Sequence, residues 1–500
     1  MENLIPGILT VVLCLAGYYT SWKYQARDNY RMALLLLVIS GLFLRIYTST
    51  DFFLHYWDER YHALVAKNLM NHPFRPTLYD TPLLPYDYTN WPGNHIWLHK
   101  QPMALWLMAL SMKIFGVNEI ALRLPSILMS VAGIWMTWFT GKYLAGKKAG
   151  YLAAFFFSVN GLIIELTGGR VATDHIDIAF LFFIELAVVL SIAFVQSKKP
   201  LFNMLAGMAL GAAILSKYLP ALIVLPVWLL IVYDSGYFSL KTIAFQFLIL
   251  TGISALVFLP WQIYIFRAFP AEAAWESGMN FRHLTEVIEE RTGPFYYFTD
   301  KIRINYGELI YLPLLWFLWK TIRNPRNLKM LAVSTWFLIP FLFFSLARTK
   351  MQGYMLFTAP ALFIMTAVFW VMLSEIKVRS WYRHLVNVLL VLFILLPVRY
   401  SLERAKPFQI SDRNPEWVKG LRQLKEEGME KGVILNYANP VEAMFYTGMT
   451  VYPYIPDEEA VRSLVRQGYP VIVNDKGDVP PGIAALEGVR LKKLAEAPAP

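Results

Sequence analysis

Apolar residues run through most of the chain in blocks of about twenty, with short polar stretches between them. Crossing the ~30 Å hydrocarbon layer of a bilayer takes roughly twenty helical residues, so each block predicts a membrane span. About twelve candidates occur, near residues 4–22, 32–50, 119–141, 150–168, 176–196, 201–216, 219–233, 241–262, 306–320, 330–347, 354–374 and 384–399. Those at 201–216, 219–233 and 306–320 are short. Lys217 and Pro220 divide one apolar stretch into a helical hairpin. The first block lacks the basic leader and small-residue cleavage site of a secretory signal, so it is expected to be a retained span.

Lys and Arg in the short loops set the orientation. Lys23, Arg27 and Arg31; Lys142, Lys147 and Lys148; Lys198 and Lys199; Lys320, Arg323, Arg326 and Lys329; and Lys377, Arg379 and Arg383 all fall on one side, the cytoplasmic one. The other side receives the loop 51–118, the turn 168–174, a long loop over 267–305, the turn 348–353 and the tail. Both termini are then outside.

Composition agrees. Of the 500 residues, 57% are hydrophobic and 16% charged, whereas a soluble domain is about a quarter charged. The net charge of +11 is accounted for largely by the basic loops, not by a nucleic-acid partner. Cys14 is the only cysteine; an intrachain disulfide and a cysteine metal cluster are excluded.

Two polar regions interrupt the membrane pattern. After Asp58 and Glu59, Tyr61, Leu64, Val65 and Leu69 share one helical face. This predicts an amphipathic helix in the interface, with Arg60 and Lys67 reaching headgroups. A second interfacial or re-entrant helix is expected over 103–115. From about Ser401 the composition becomes that of a small soluble module. Helices are expected over 418–431 and 457–467, and short buried strands over 432–436 and 470–474. The expected division is a membrane domain over 1–400 and an outer α/β domain over 401–500.

Ionisable groups collect on the outer side, where by default they mark a functional site. Asp58 and Glu59 open the first outer loop, and His99 and Lys100 close it. Asp174, His175 and Asp177 begin the fifth span. Arg282 and His283 lie in the long loop; Arg348, Lys350 and Tyr354 lie in the turn before the eleventh span. Each has a plainer use: Asp58 and Asp174 suit helix N-termini, and Lys100 and Lys350 suit lipid headgroups. Together they have a chemical one. A carboxylate can take the proton of an acceptor hydroxyl, while cations hold the charge on a departing phosphate.

Several segments resemble, in order from about residue 45 to 375, the GT-C membrane glycosyltransferases. The similar branch includes bacterial lipid A aminoarabinose transferases and protein O-mannosyltransferases. The segments are Trp57-Asp58-Glu59-Arg60-Tyr61, His99-Lys100-Gln101-Pro102, Arg170-Val171-Ala172-Thr173-Asp174, Leu215-Ser216-Lys217, Pro260-Trp261, Pro294-Phe295-Tyr296-Tyr297, and Thr349-Lys350 with Tyr354 and Pro360. The resemblance implies a GT-C-like fold of about twelve transmembrane helices. It also implies inverting transfer from a polyisoprenyl-phosphate sugar to a hydroxyl of a lipid, glycan or protein. Asp58 would be the general base, with Glu59 and Asp174 in the catalytic group. Lys100, Arg282, Lys350 and Tyr354 would contact the lipid phosphate. In the aminoarabinose transferases a Glu before the Lys-Pro motif and a loop His help to hold a metal. Here His99 stands in the first position and the loop near Arg282 offers no clean counterpart to the second, so a divalent metal cofactor is left unassigned, with His99 its one candidate ligand. The expected location is the bacterial inner membrane, with the site and tail domain on its outer side. The alternative function is a transporter or flippase for lipid-linked glycans.

Overall fold

The computed structural model describes residues 3–427 and 431–498. Two helices, α1 (Leu4–Ala26) and α2 (Tyr30–Ser49), form an antiparallel pair. They are joined closely where small residues meet, with Ser21 Oγ donating to Ala33 O at 2.7 Å. The first outer loop carries α3 (Glu59–Leu69) and α4 (Pro102–Phe115), so both helices expected in that loop are present. A long α5 (Glu119–Ala145) returns through the membrane. Next come α6 (Lys147–Ser158) and α7 (Gly161–Thr167), bent by 51° at their break. Asn160 caps α7 by accepting from Ile163 N.

Then follow α8 (Asp174–Ser197), α9 (Pro200–Lys217), α10 (Val224–Asp234) and α11 (Leu240–Ala268). The long outer loop is largely helical, containing α12 (Pro270–Thr285) and α13 (Tyr297–Tyr306). The rest of the membrane part is α14 (Tyr311–Arg323), α15 (Leu328–Leu346), α16 (Ala359–Glu375) and α17 (Ser380–Ala405). Among the described residues, nine helices are long and apolar enough to cross a membrane, or ten with the bent pair as one span. The segments expected near 219–233 and 306–320 form shorter helices. Their lengths do not by themselves establish the expected twelve crossings.

Contacts at the loop ends agree with the charge-derived orientation. The Lys198 ammonium lies 3.7 Å from the Tyr237 ring centre, Lys329 lies 4.6 Å from that of Tyr143, and Lys148 pairs with Glu375 at 3.2 Å. All join loops assigned to one side.

After α17 the chain builds α18 (Glu416–Glu426), β1 (Val433–Leu435), α19 (Pro440–Thr447), β2 (Thr450–Val451), α20 (Glu458–Arg466), β3 (Val471–Asn474), α21 (Pro481–Ala484) and β4 (Val489–Lys492). The sheet order is β2-β1-β3-β4 and every pairing is parallel, so each connection passes through a helix. Both expected strands and the helix after Asp457 are present, with Asp457 accepting from Ala460 N at 2.8 Å. The helix expected over 418–431 ends at Glu426, and its residues 428–430 lie outside the described residues. Two short strands, β2 and β4, complete the sheet.

This module corrects the expected environment of α3. Arg60 and Lys67 meet protein, not headgroups. Arg60 pairs with the buried Glu442 at 3.0 Å, and Lys67 Nζ donates to the carbonyls of Met444 and Phe445. The amphipathic pattern specified a helix with one buried face; it could not say that α19 would cover the other.

Candidate active site

A cavity of about 310 Å³ opens among α8, α9, α12, α15 and the outer loops, with Asp58, just before α3, in its wall. Asp58, Lys100, Lys217 and Tyr354 line it, together with Phe180, Phe343 and Phe357. It therefore offers charge beside a greasy recess, as a lipid phosphate with a hydrocarbon tail requires.

Asp58 precedes the first turn of α3 and is partly buried. One carboxylate oxygen accepts from Thr173 N at 2.9 Å. Thr173 has φ +68°, unusual for a β-branched residue, and this left-handed turn aims its N–H at Asp58. Burial alone would raise the Asp58 carboxyl, but Lys100, His62 and the Thr173 N–H together bring it down to about 2. Asp58 is thus an anion with one oxygen anchored. Lys100 has no ion-pair partner among the described residues, leaving its ammonium for a ligand.

Glu59, adjacent in sequence, faces away from the cavity and is fully buried. Arg123 donates to both of its oxygens at 2.6 and 2.8 Å; His55 N donates at 2.7 Å and His175 Nε2 lies at 3.1 Å. Burial opposes its charge, yet Arg123 and His55 hold its carboxyl well below the usual range. Gly169 makes room: at φ +74°, a Cβ there would lie 2.1 Å from Glu59 Oε1. Glu59 anchors α3 and does not meet the cavity.

Asp174 is also fully buried and outside the cavity lining. Its Oδ1 lies 2.8 Å from His62 Nδ1, one helical turn beyond Asp58. Lys217 at the end of α9 pairs with Asp177, which also accepts from Thr173 Oγ1, and lies 5.1 Å from the Tyr354 ring centre. Gly353 is needed beside them, because a Cβ would stand 2.8 Å from Asp177 Oδ2.

The predicted cations separate. Lys100 and Tyr354 line the Asp58 cavity. Arg282 is exposed and pairs with Glu286 at 2.8 Å, so it is not brought in; Arg291 lines the cavity instead. Lys350 lines a neighbouring cavity, also reached by Arg291. The turn and long loop are joined by main-chain bonds, Thr349 N to His283 O and Lys350 N to Arg291 O, both 3.0 Å. His62 and Arg291 escaped assignment to the site from sequence, and Asp177 was named among the outer ionisable groups without a role. Their signals were faint: His62 lies four residues after Asp58, and Asp177 three after Asp174.

His99 stacks on Trp91 at 4.4 Å between ring centres, and its Nδ1 lies 3.5 Å from Glu276 Oε2. Burial, then Lys100, pushes its imidazole below the usual value. One nitrogen and one carboxylate fall short of the three or four protein ligands of a typical zinc site. Among the described residues no group of three or more His, Cys, Asp or Glu is placed to hold a metal ion. This donor set does not make a zinc site.

Residues 99–264 match the family model described as dolichyl-phosphate-mannose-protein mannosyltransferase. An Aquifex aeolicus protein without a functional name is 26% identical over 358 residues, covering 69% of this chain and 65% of its own. The undecaprenyl phosphate-alpha-4-amino-4-deoxy-L-arabinose arabinosyl transferase 1 of Pseudomonas fluorescens is 24% identical, covering 53% and 48%. The chain therefore spans less than two thirds of either relative's length. In three dimensions it is similar to ArnT of Cupriavidus metallidurans, solved bound to undecaprenyl phosphate: TM-score 0.62, 16% identity, 87% of this chain and 89% of that one. The resemblance to GT-C membrane glycosyltransferases is borne out, and the likeness in structure extends over most of the fold.

Proposed function

We propose that this chain is an inverting glycosyltransferase, moving a sugar from a polyisoprenyl-phosphate donor to a hydroxyl of a lipid, glycan or protein. It works at the outer face of a bacterial inner membrane. The observation that carries this is Asp58 together with Lys100, which has no ion-pair partner among the described residues, on the wall of a largely apolar cavity, in a fold shared with ArnT, solved bound to undecaprenyl phosphate.

Asp58 accepts the proton of the acceptor hydroxyl as its oxygen attacks the anomeric carbon from the face opposite the phosphate. The bond from that carbon to the phosphate oxygen breaks, and polyprenyl phosphate leaves. Lys100, Arg291 and the Tyr354 hydroxyl stabilise its charge. Asp174, through His62, and Glu59, through Arg123, hold α3 in place. Counting the two short helices as crossings gives twelve spans and puts both termini outside. The membrane domain is then 1–400 and the outer module 401–500.

Reconstituted protein given radiolabelled polyprenyl-phosphate sugars in membranes of the source cell should release polyprenyl phosphate and label an acceptor. Label that crosses the bilayer with the donor intact would overturn transfer in favour of transport. Lys100→Met should raise the donor KM by about 30-fold, equivalent to ~2 kcal/mol of charge-assisted hydrogen bonding, as read from initial rates against donor concentration. The acid limb of kcat/KM, which reports the free enzyme, should follow Asp58. Because its carboxyl is lowered to about 2, the active anion persists as pH falls from neutral and is lost only near that value. A pH–rate profile should be flat on its acid side down to about pH 4.

A further inference from the structure

A second cavity, of about 340 Å³, lies beside the first, and Arg291 and Met351 line both. The partition is thin: Val171 and Ala172 face the second cavity, while the next residue, Thr173, faces the first. Gly353 lines the second cavity with its backbone against Asp177 and Thr173.

Three cations, Arg291, Lys350 and Arg404, and one carboxylate, Glu290, line this second cavity. Arg291 pairs with Glu289, and Arg404 with Glu165. Lys350 has no carboxylate partner among the described residues. It is only 6% exposed, and its Nζ donates to the carbonyl of Ala347. Burial, then the neighbouring Arg348, pushes its ammonium below the usual lysine range. A buried cation without a counter-charge is costly, so an anion beside Lys350 would be stabilising. The donor phosphate is poorly suited to this place, since Lys100, Tyr354 and the phenylalanines that suit a prenyl tail line the other cavity with Asp58.

We propose that the second cavity is an acceptor subsite for an anionic group, phosphate or carboxylate, carried beside the hydroxyl that is glycosylated, with Lys350 as its counter-charge. This rests on the glycosyl-transfer function above. The anion seats by Lys350, and the neighbouring hydroxyl is directed across the partition toward Asp58. The enzyme then selects anionic acceptors, because a neutral one leaves Lys350 unpaired.

The test uses the full chain in lipid nanodiscs, with octyl glucoside 6-phosphate and neutral octyl glucoside as probes and undecaprenyl phosphate as donor-site ligand. The phosphorylated probe should bind at least ten-fold tighter than the neutral one, and saturating undecaprenyl phosphate should not displace it. Lys350→Gln, similar in length and uncharged, should erase the preference while undecaprenyl phosphate still binds; Lys350→Arg should keep it. No preference in the parent protein, displacement by undecaprenyl phosphate, or loss of undecaprenyl phosphate binding in Lys350→Gln each overturns the acceptor assignment. Failure of the parent protein to bind undecaprenyl phosphate instead sinks the transferase function itself.

Discussion

Asp58→Asn lowers kcat by about 10²–10⁴-fold, the usual contribution of a positioned general base, while undecaprenyl phosphate still binds. The substitution is nearly isosteric. Its amide oxygen can still accept from Thr173 N, which holds Asp58 at 2.9 Å, so the turn and the start of α3 should keep their places. What is lost is the ability to take a proton. Single-turnover transfer with saturating donor measures the effect, and a binding assay on the same sample shows that the site is intact. Near-normal transfer by a folded Asp58→Asn protein would remove Asp58 from the mechanism.

The second large effect is on stability. Glu59→Ala should destabilise the protein by about 3–5 kcal/mol, the usual cost of breaking a buried ion pair on one side. Arg123 is fully buried, and both arms of its guanidinium that face Glu59 would lose their acceptor. Its remaining contacts, to the carbonyls of Ser49, Asp51 and Phe53 and to His55 Nδ1, supply no negative charge. Thermal unfolding in detergent should show a clear fall in midpoint. The two adjacent acids thus separate in experiment: Asp58→Asn loses rate at nearly constant stability, and Glu59→Ala loses stability first.

That separation was not legible in the sequence. Asp58 and Glu59 are neighbours and both acidic, but consecutive helical residues point about 100° apart. Only the positions of Arg123 and Thr173, far along the chain, decide which acid faces the cavity. The helices were legible because their signal is local: apolar length for the spans, and spacing for α3. The grouping of the basic loops at one end was legible because Lys and Arg recur in them. Lys350 and Arg282 read alike as outer cations, yet one is buried beside a cavity and the other is exposed with Glu286. Burial of a loop residue depends on what folds over it, and periodicity carries no record of that. The His99–Glu276 pair was hidden for the same reason: its members come from different loops.

The grip of the outer module on α3 has a consequence for how the protein is made. Arg60 and Lys67 are synthesised first, while Glu442, Met444 and Phe445, which hold them, emerge from the ribosome much later. At ~5–20 residues per second, about 380 residues of elongation separate the two halves of that contact. A nascent chain whose apolar helices are all made therefore has an α3 that is not yet clamped, until α19 has been made and has folded against it.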